Sequence, residues 1–235
     1  MARGLAHALG GSYVCWAEGE RTKSEHLKLP DKFNLDPNYM NRDQLNDAPW
    51  NVALAYHRMQ IAALGESNRS CLHVDVHGRR DPAPGLNVEN SDCDIGTAAM
   101  EHYEGVIDPE TSKVEWTRGR AYADRGSSPH VYPPGLAKAL RHRIAEGLKE
   151  LFDDWRPIKG HCFIVNEEPR LNGFRTGSNR HTLSRQGVEI GLISVQLELT
   201  KRLRKALRAD IIGQRRFAEV LQNAWNSCSI EFFQT

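Results

Sequence analysis

LHVDVHGRRD, residues 72–81, decides how the rest of the chain is read. Leu72, Val74 and Val76 alternate with His73, Asp75 and His77, the period-two signature of a half-buried strand. Gly78 closes the run and so places His77 at the strand's carboxyl end. In open α/β sheets that end collects ligands and catalytic groups. A carboxylate two residues before a histidine is one way to present an imidazole to a metal. An ordinary strand end with a polar side chain in a surface loop has the same pattern.

Working outward, Asp47 and Pro49 open a helix that reaches about Leu64, with Val52, Leu54, Ala55, Met59, Ile61, Ala62 and Leu64 as its apolar positions. Helix followed by strand is the alternation of an α/β fold. LISVQLEL (192–199) is the second clear strand, with Glu198 at its C-terminal end and the helix TKRLRKAL directly after it. Pro133-Pro134 start a helix to about Trp155, its stripe formed by Leu136, Leu140, Ile144, Leu148, Leu151 and Phe152. Shorter expectations fill the gaps: a helix over 2–9, a strand over 12–16, a long loop over 18–46 and another loop from Gly78 to Ala98. Thr97 caps AAMEHYEG, 106–133 is loop or a small excursion, 161–165 is a strand, and 184–190 is helical. A helix over 210–225 and a last strand over 229–233 complete the chain. The fold predicted is one α/β domain spanning 1–235, a mixed central sheet flanked by helices, with strands 72–76 and 192–198 near its centre.

At 235 residues, with 40% hydrophobic and 26% charged residues, the chain suits a single soluble domain with a real core. Its net charge of +1 gives no electrostatic footprint for nucleic acid, and it has no aromatic-basic platform. No stretch approaches the roughly 18 apolar residues of a membrane span, and the N-terminus lacks a signal-peptide pattern. Cys15, Cys71, Cys93, Cys162 and Cys228 are dispersed without Cys-x-x-Cys spacing, which reads as buried free thiols in a cytoplasmic protein.

Two strand ends thus carry unusual groups: His77, and Glu198 with the arginines after it. Metal-assisted hydrolysis joins such groups. Zinc takes imidazoles and carboxylates and lowers the pKa of a bound water, while a glutamate moves protons between that water and the leaving nitrogen. Arg79 and Arg80, just beyond the histidine, sit where an anionic substrate would meet them, or form a solvated charge cluster. Glu198 has an alternative as well, as a carboxylate stabilised by the helix that follows it.

DPNY (36–39), HVDVHG (73–78), DIGT (94–97) and VQLELTKRLR (195–204) occur in the order of the N-formylglutamate amidohydrolase family, which this chain resembles. That family belongs to the zinc-carboxypeptidase-like hydrolases. The resemblance implies His77 as a zinc ligand, Glu198 as catalytic glutamate and Arg180, in the turn Asn179–Thr182, as a substrate-holding group. It implies a small acidic acyl amino acid or peptide-like substrate such as N-formylglutamate. The chain departs from the family at its start, where the first histidine and carboxylate ligands are missing. It is therefore expected to be a truncated enzyme, or a degenerate member acting as a binding protein. His26 and Glu25 are the first residues to test as replacements.

Overall fold

Residues 72–79 and 193–200 pair as parallel strands in which every apolar position meets an apolar one or Gly78, and every polar position a polar one. The structure is a computed structural model and describes residues 2–13, 40–41, 49–63, 71–82, 90–117, 130–169 and 180–233. Its elements in chain order are α1 (Ala2–Ala8), β1 (Met40–Asn41), α2 (Pro49–Ala63), β2 (Leu72–Arg79), β3 (Cys93–Gly96), α3 (Ala98–Glu101), β4 (Gly105–Ile107), β5 (Val114–Trp116), α4 (Leu136–Asp154), β6 (Val165–Asn166), β7 (Arg180–His181), α5 (Leu183–Glu189), β8 (Ile193–Thr200), α6 (Lys201–Ala209) and α7 (Ile211–Phe233).

The main sheet runs β2-β8-β3-β6. β2 is parallel to β8, β8 antiparallel to β3, and β3 parallel to β6, so the sheet is mixed. β1 with β7 and β4 with β5 form two small antiparallel pairs. Residues paired across a sheet project from the same face. One face therefore gathers Leu72, Val74, Val76, Ile193, Val195, Leu197, Leu199, Cys93, Ile95 and Val165. These side chains join those of α4, α6 and α7 in one apolar core.

α4 forms because its apolar residues recur every three to four positions. Leu136, Leu140, Ile144, Leu148, Leu151 and Phe152 are all buried, as the stripe predicts. α7 answers with Phe217, Leu221, Ala224, Trp225 and Cys228 on one side. Each large side chain fully buried here contributes about 1.5–3 kcal/mol. α5 and α6 start where threonines cap them: Thr182 accepts from the Arg185 amide at 3.1 Å and Thr200 from the Leu203 amide at 3.3 Å.

The structure corrects several sequence expectations. β8 lies inside the sheet, but β2 is its terminal strand among the described residues, not a central one. CDIG, expected as loop, is the fully buried strand β3, paired on both sides by β8 and β6. Four residues are too short for a periodic signal, and tertiary pairing makes the strand. Residues 229–233, expected as a strand, continue α7 to Phe233. No glycine or proline breaks the helix there, and Phe232 and Phe233 pack on the core from helical positions. The strand expected over 161–165 shrinks to Val165–Asn166, and Cys162 is exposed rather than buried. Of the strand expected over 12–16, Ser12 and Tyr13 are not in a strand and the rest lies outside the described residues, as does most of the loop expected over 18–46. No described helix is long and apolar enough to cross a membrane.

Gly78 does not end β2, which runs on to Arg79. A Cβ there would stand 2.6 Å from the Arg204 guanidinium carbon, so a larger residue would displace that side chain. That guanidinium donates to the Leu199 carbonyl at 3.2 Å and the Arg79 carbonyl at 3.3 Å, tying α6 to the ends of both strands.

Candidate functional site

The second face of the sheet is polar throughout its middle. His73, Asp75, His77 and Arg79 on β2 lie beside Ser194, Gln196, Glu198 and Thr200 on β8, and Asp94 on β3 lies across from Glu198. Asp75, Asp94, Ser194, Gln196, Glu198 and Thr200 are all buried. Burying so many polar groups is costly unless each finds a partner, so the pairings define the site.

His77 is the centre of it. Its Nε2 lies 2.9 Å from Asp75 Oδ1, and its Nδ1 lies 3.5 Å from Glu198 Oε1. The Gln196 amide donates to the same Glu198 oxygen at 3.0 Å, and the Ser184 hydroxyl donates to the other oxygen of Asp75 at 2.9 Å. His77 keeps 17% of its side chain exposed, more than Glu198 at 9% or Asp75 at 4%. Burial pushes the Asp75 carboxyl up, but the charge and hydrogen bond of His77, with His73 and the Ser184 hydroxyl, outweigh it and hold it below its ordinary range.

His73 has the opposite environment. Burial pushes its pKa down against the pull of Asp75, with His57 adding to the lowering, and its Nδ1 pairs with the Ser194 hydroxyl at 2.8 Å. It is a neutral packing group. α5 reaches this face because residue 187 is glycine: a Cβ there would stand 2.7 Å from the His73 Nδ1.

At the carboxyl end of β8 a second carboxylate gathers donors. Asp92, fully buried, accepts from Thr200 Oγ1 at 2.9 Å, from the Ile164 amide at 3.1 Å and from Arg202 Nε, and His161 Nε2 lies 3.1 Å away. Burial opposes its ionisation. The hydrogen bonds from Arg202, Thr200 and Ile164, with the Arg202 charge, prevail and lower its pKa.

The residues singled out in the sequence are placed as follows. His77 and Glu198 meet. Arg79 continues the same face, and its guanidinium donates to the carbonyl and hydroxyl of Ser91 and lies 3.2 Å from Asp94 Oδ1, so it braces β2 against β3. Arg80 is exposed just past the strand. Arg180 stands in β7 opposite Asn41. Glu25 and His26 lie outside the described residues. The sequence reading passed over Gln196, Asp92, Asp94, His161 and Ser184. The alternation of ISVQLELT does put Ser194, Gln196, Glu198 and Thr200 on one face, a signal available without a structure.

A hydrolytic zinc ion takes three protein ligands and leaves one position for water. Here two donors of the right kind meet, His77 and Glu198, without a third among the described residues. His77 offers an imidazole whose other nitrogen is held by a carboxylate, the outer partner that zinc-bound histidines carry. Neighbouring ligands on a tetrahedral ion stand roughly 3.3 Å apart for bonds near 2.0 Å. The observed 3.5 Å therefore lets Glu198 join His77 on one ion or take a proton from water bound to it. Among the described residues, the group of three ligand atoms within 4.8 Å of one another lies elsewhere, at His142, Glu146 and Glu167 on the outer side of α4. There the Lys149 ammonium already sits 2.7 Å from Glu146 and 2.9 Å from Glu167.

Compared with protein-family models, curated proteins and solved structures, the chain matches none.

Proposed function

We propose that this chain is a metal-dependent hydrolase of the N-formylglutamate amidohydrolase type, cleaving an amide bond in an acidic N-acyl amino acid. The observation that carries the reading is the contact of His77 Nδ1 with Glu198 Oε1 at 3.5 Å, with Asp75 on the other ring nitrogen. His77 is the imidazole donor for zinc, which when bound supplies a Lewis acid and a water of lowered pKa. Glu198, beside His77, would serve as the proton carrier between an attacking water and the leaving nitrogen. Gln196 fixes one oxygen of Glu198 and so its direction. Arg80 and Arg180 are the side chains assigned to the substrate carboxylate, since Arg79 is engaged by Ser91 and Asp94.

A non-catalytic binding protein is the second reading. The closed pairing of the polar face, in which Asp75, Asp94 and Arg79 already hold one another's neighbours, favours it.

Metal content and N-formylglutamate hydrolysis, measured on the purified full chain with added zinc, separate the two. The hydrolase reading expects stoichiometric zinc and turnover. It also expects Glu198→Gln to lower kcat by about 10²–10⁴-fold with an unchanged circular dichroism spectrum. Wild-type turnover retained in both Glu198→Gln and His77→Ala would sink it. Binding of the acyl amino acid without zinc and without turnover would favour the binding protein.

A further inference from the structure

The nine residues of α6, KRLRKALRA, carry five cations and no carboxylate. Its apolar side, Leu203, Ala206 and Leu207, is buried. Arg202 is tied to Asp92, and Arg204 to the carbonyls of Leu199 and Arg79. The other three cations, Lys201, Lys205 and Arg208, follow one another at spacings of four and three, so they share the outward face, and all three are exposed. Among the described residues no carboxylate pairs with any of them. Three and four residues after Arg208, Ile211 and Ile212 open α7 with relative exposures of 60% and 67%. They are held in that position. Asp210 accepts the amides of Ile212 at 2.9 Å and Gly213 at 3.1 Å, and its other oxygen takes the Trp155 indole N–H at 2.7 Å. Chain length keeps both isoleucines within about 14 Å of Arg208. Arg215, exposed one turn further on, shares their side of α7.

We propose that Lys201, Lys205, Arg208, Ile211, Ile212 and Arg215 form a docking face for an anionic lipid surface, on which the chain lies without crossing it. Cations close to acidic headgroups are attracted within a Debye length. The whole chain carries only +1, so this attraction belongs to the face and not to the molecule. The isoleucines supply the second part. Two adjacent aliphatic side chains in water gain by entering the boundary between headgroups and acyl chains. Asp210 and Trp155 already fix the turn that presents them, so docking orders little that was free. A nucleic acid would meet the same cations, but its bases stack on aromatic side chains, and this face has none. Against phosphates the isoleucines would gain nothing. The face is independent of the His77–Glu198 site.

Flotation of the purified full chain with vesicles tests this, using phosphatidylcholine alone and phosphatidylcholine mixed with phosphatidylserine, at low and at high salt. The wild type is expected to float with the mixed vesicles at low salt, to be released by high salt and not to bind phosphatidylcholine. Lys201→Gln, Lys205→Gln and Arg208→Gln should each lower the partition coefficient about fivefold, and the three together about a hundredfold. Ile211→Ser with Ile212→Ser should lower it at least about tenfold and leave the salt dependence unchanged. A control with Lys113→Gln, Lys138→Gln and Lys149→Gln has the same net charge as the triple variant and should float like wild type. A wild type that stays off the mixed vesicles overturns the proposal. So does an equal loss in the control, which would make net charge the cause, and so does full binding by the isoleucine variant. Salt-sensitive binding to a DNA or RNA duplex that the isoleucine changes leave intact, with no flotation, would assign the face to nucleic acid instead. The substituted side chains are exposed, so circular dichroism spectra should match wild type; if the triple variant does not fold, the wild-type vesicle series and the isoleucine variant decide.

Discussion

Arg202, the second residue of α6, sets its guanidinium Nε on the Oδ1 of Asp92, a carboxylate with no exposed surface. The helix is thereby pinned to the strand that lies beyond β8. The same carboxylate holds the Thr200 hydroxyl and the Ile164 amide, so α6, β8 and the approach to β6 meet on one side chain.

Replacing Asp92 with Ala is expected to cost about 3–5 kcal/mol, because it strands a part-buried guanidinium and several buried donors at once. Urea unfolding followed by circular dichroism measures it; a loss below about 1 kcal/mol would mean that water replaces the carboxylate without difficulty.

The Asp92 shift also has a pH consequence. Its folded pKa lies below the unfolded value, near 3.9, so its contribution is present above that value and is lost as pH falls through the folded pKa. Wild-type stability should therefore fall in acid below about pH 4. In Asp92→Asn part of that slope should disappear, which parallel denaturant titrations across acidic pH would reveal. An unchanged slope would assign the acid sensitivity to other carboxylates.

Gly187→Ala sets two effects against each other. Alanine favours a helix over glycine by up to about 1 kcal/mol. The new Cβ would stand 2.7 Å from His73 Nδ1, on a half-buried ring bonded to Ser194, and such overpacking costs about 1–3 kcal/mol. A net loss of stability is expected, with α5 pushed off β2 and the Ser184–Asp75 bond lengthened. A thermal midpoint equal to or above wild type would show that α5 yields freely.

Phe217 on α7 is fully buried and its ring lies 6.4 Å from that of Phe152 on α4. Phe217→Ala should cost about 3–5 kcal/mol, and chemical denaturation would register it as a lower midpoint with little change in slope. A cost near zero would mean that α4 and α7 close over the gap.

The helix α4 was legible in the sequence because six apolar side chains repeat with its period. β2 and β8 were legible because their alternation survives over eight residues. β3 was not: Cys93, Asp94, Ile95 and Gly96 carry no period of their own, and the strand exists because β8 and β6 pair with it. The end of α7 misled for the reverse reason, since Ile230, Phe232 and Phe233 have strand preferences that the helix before them overrides. Of the site, His77 and Glu198 were visible as strand-end groups, and Asp75 by its spacing. Ser184, Asp92 and His161 reach their partners only through folding, from residues 109, 108 and 69 positions apart in the chain.

The two-faced pairing of β2 with β8 has a kinetic side. His73 and Ser194 are 121 residues apart, so this parallel contact closes a very long loop, the kind of pairing that forms late. A slip of one residue would drive His77 and Asp75 into the helix-covered core, which excludes it. A slip of two keeps the faces but sets His77 opposite Gln196 or Thr200, away from Glu198, with most apolar burial retained. The apolar face alone therefore does not distinguish the native register from one slipped by two. Of these registers only the native one brings His77 to Glu198, so the polar residues of β2 and β8, rather than the apolar ones, single it out.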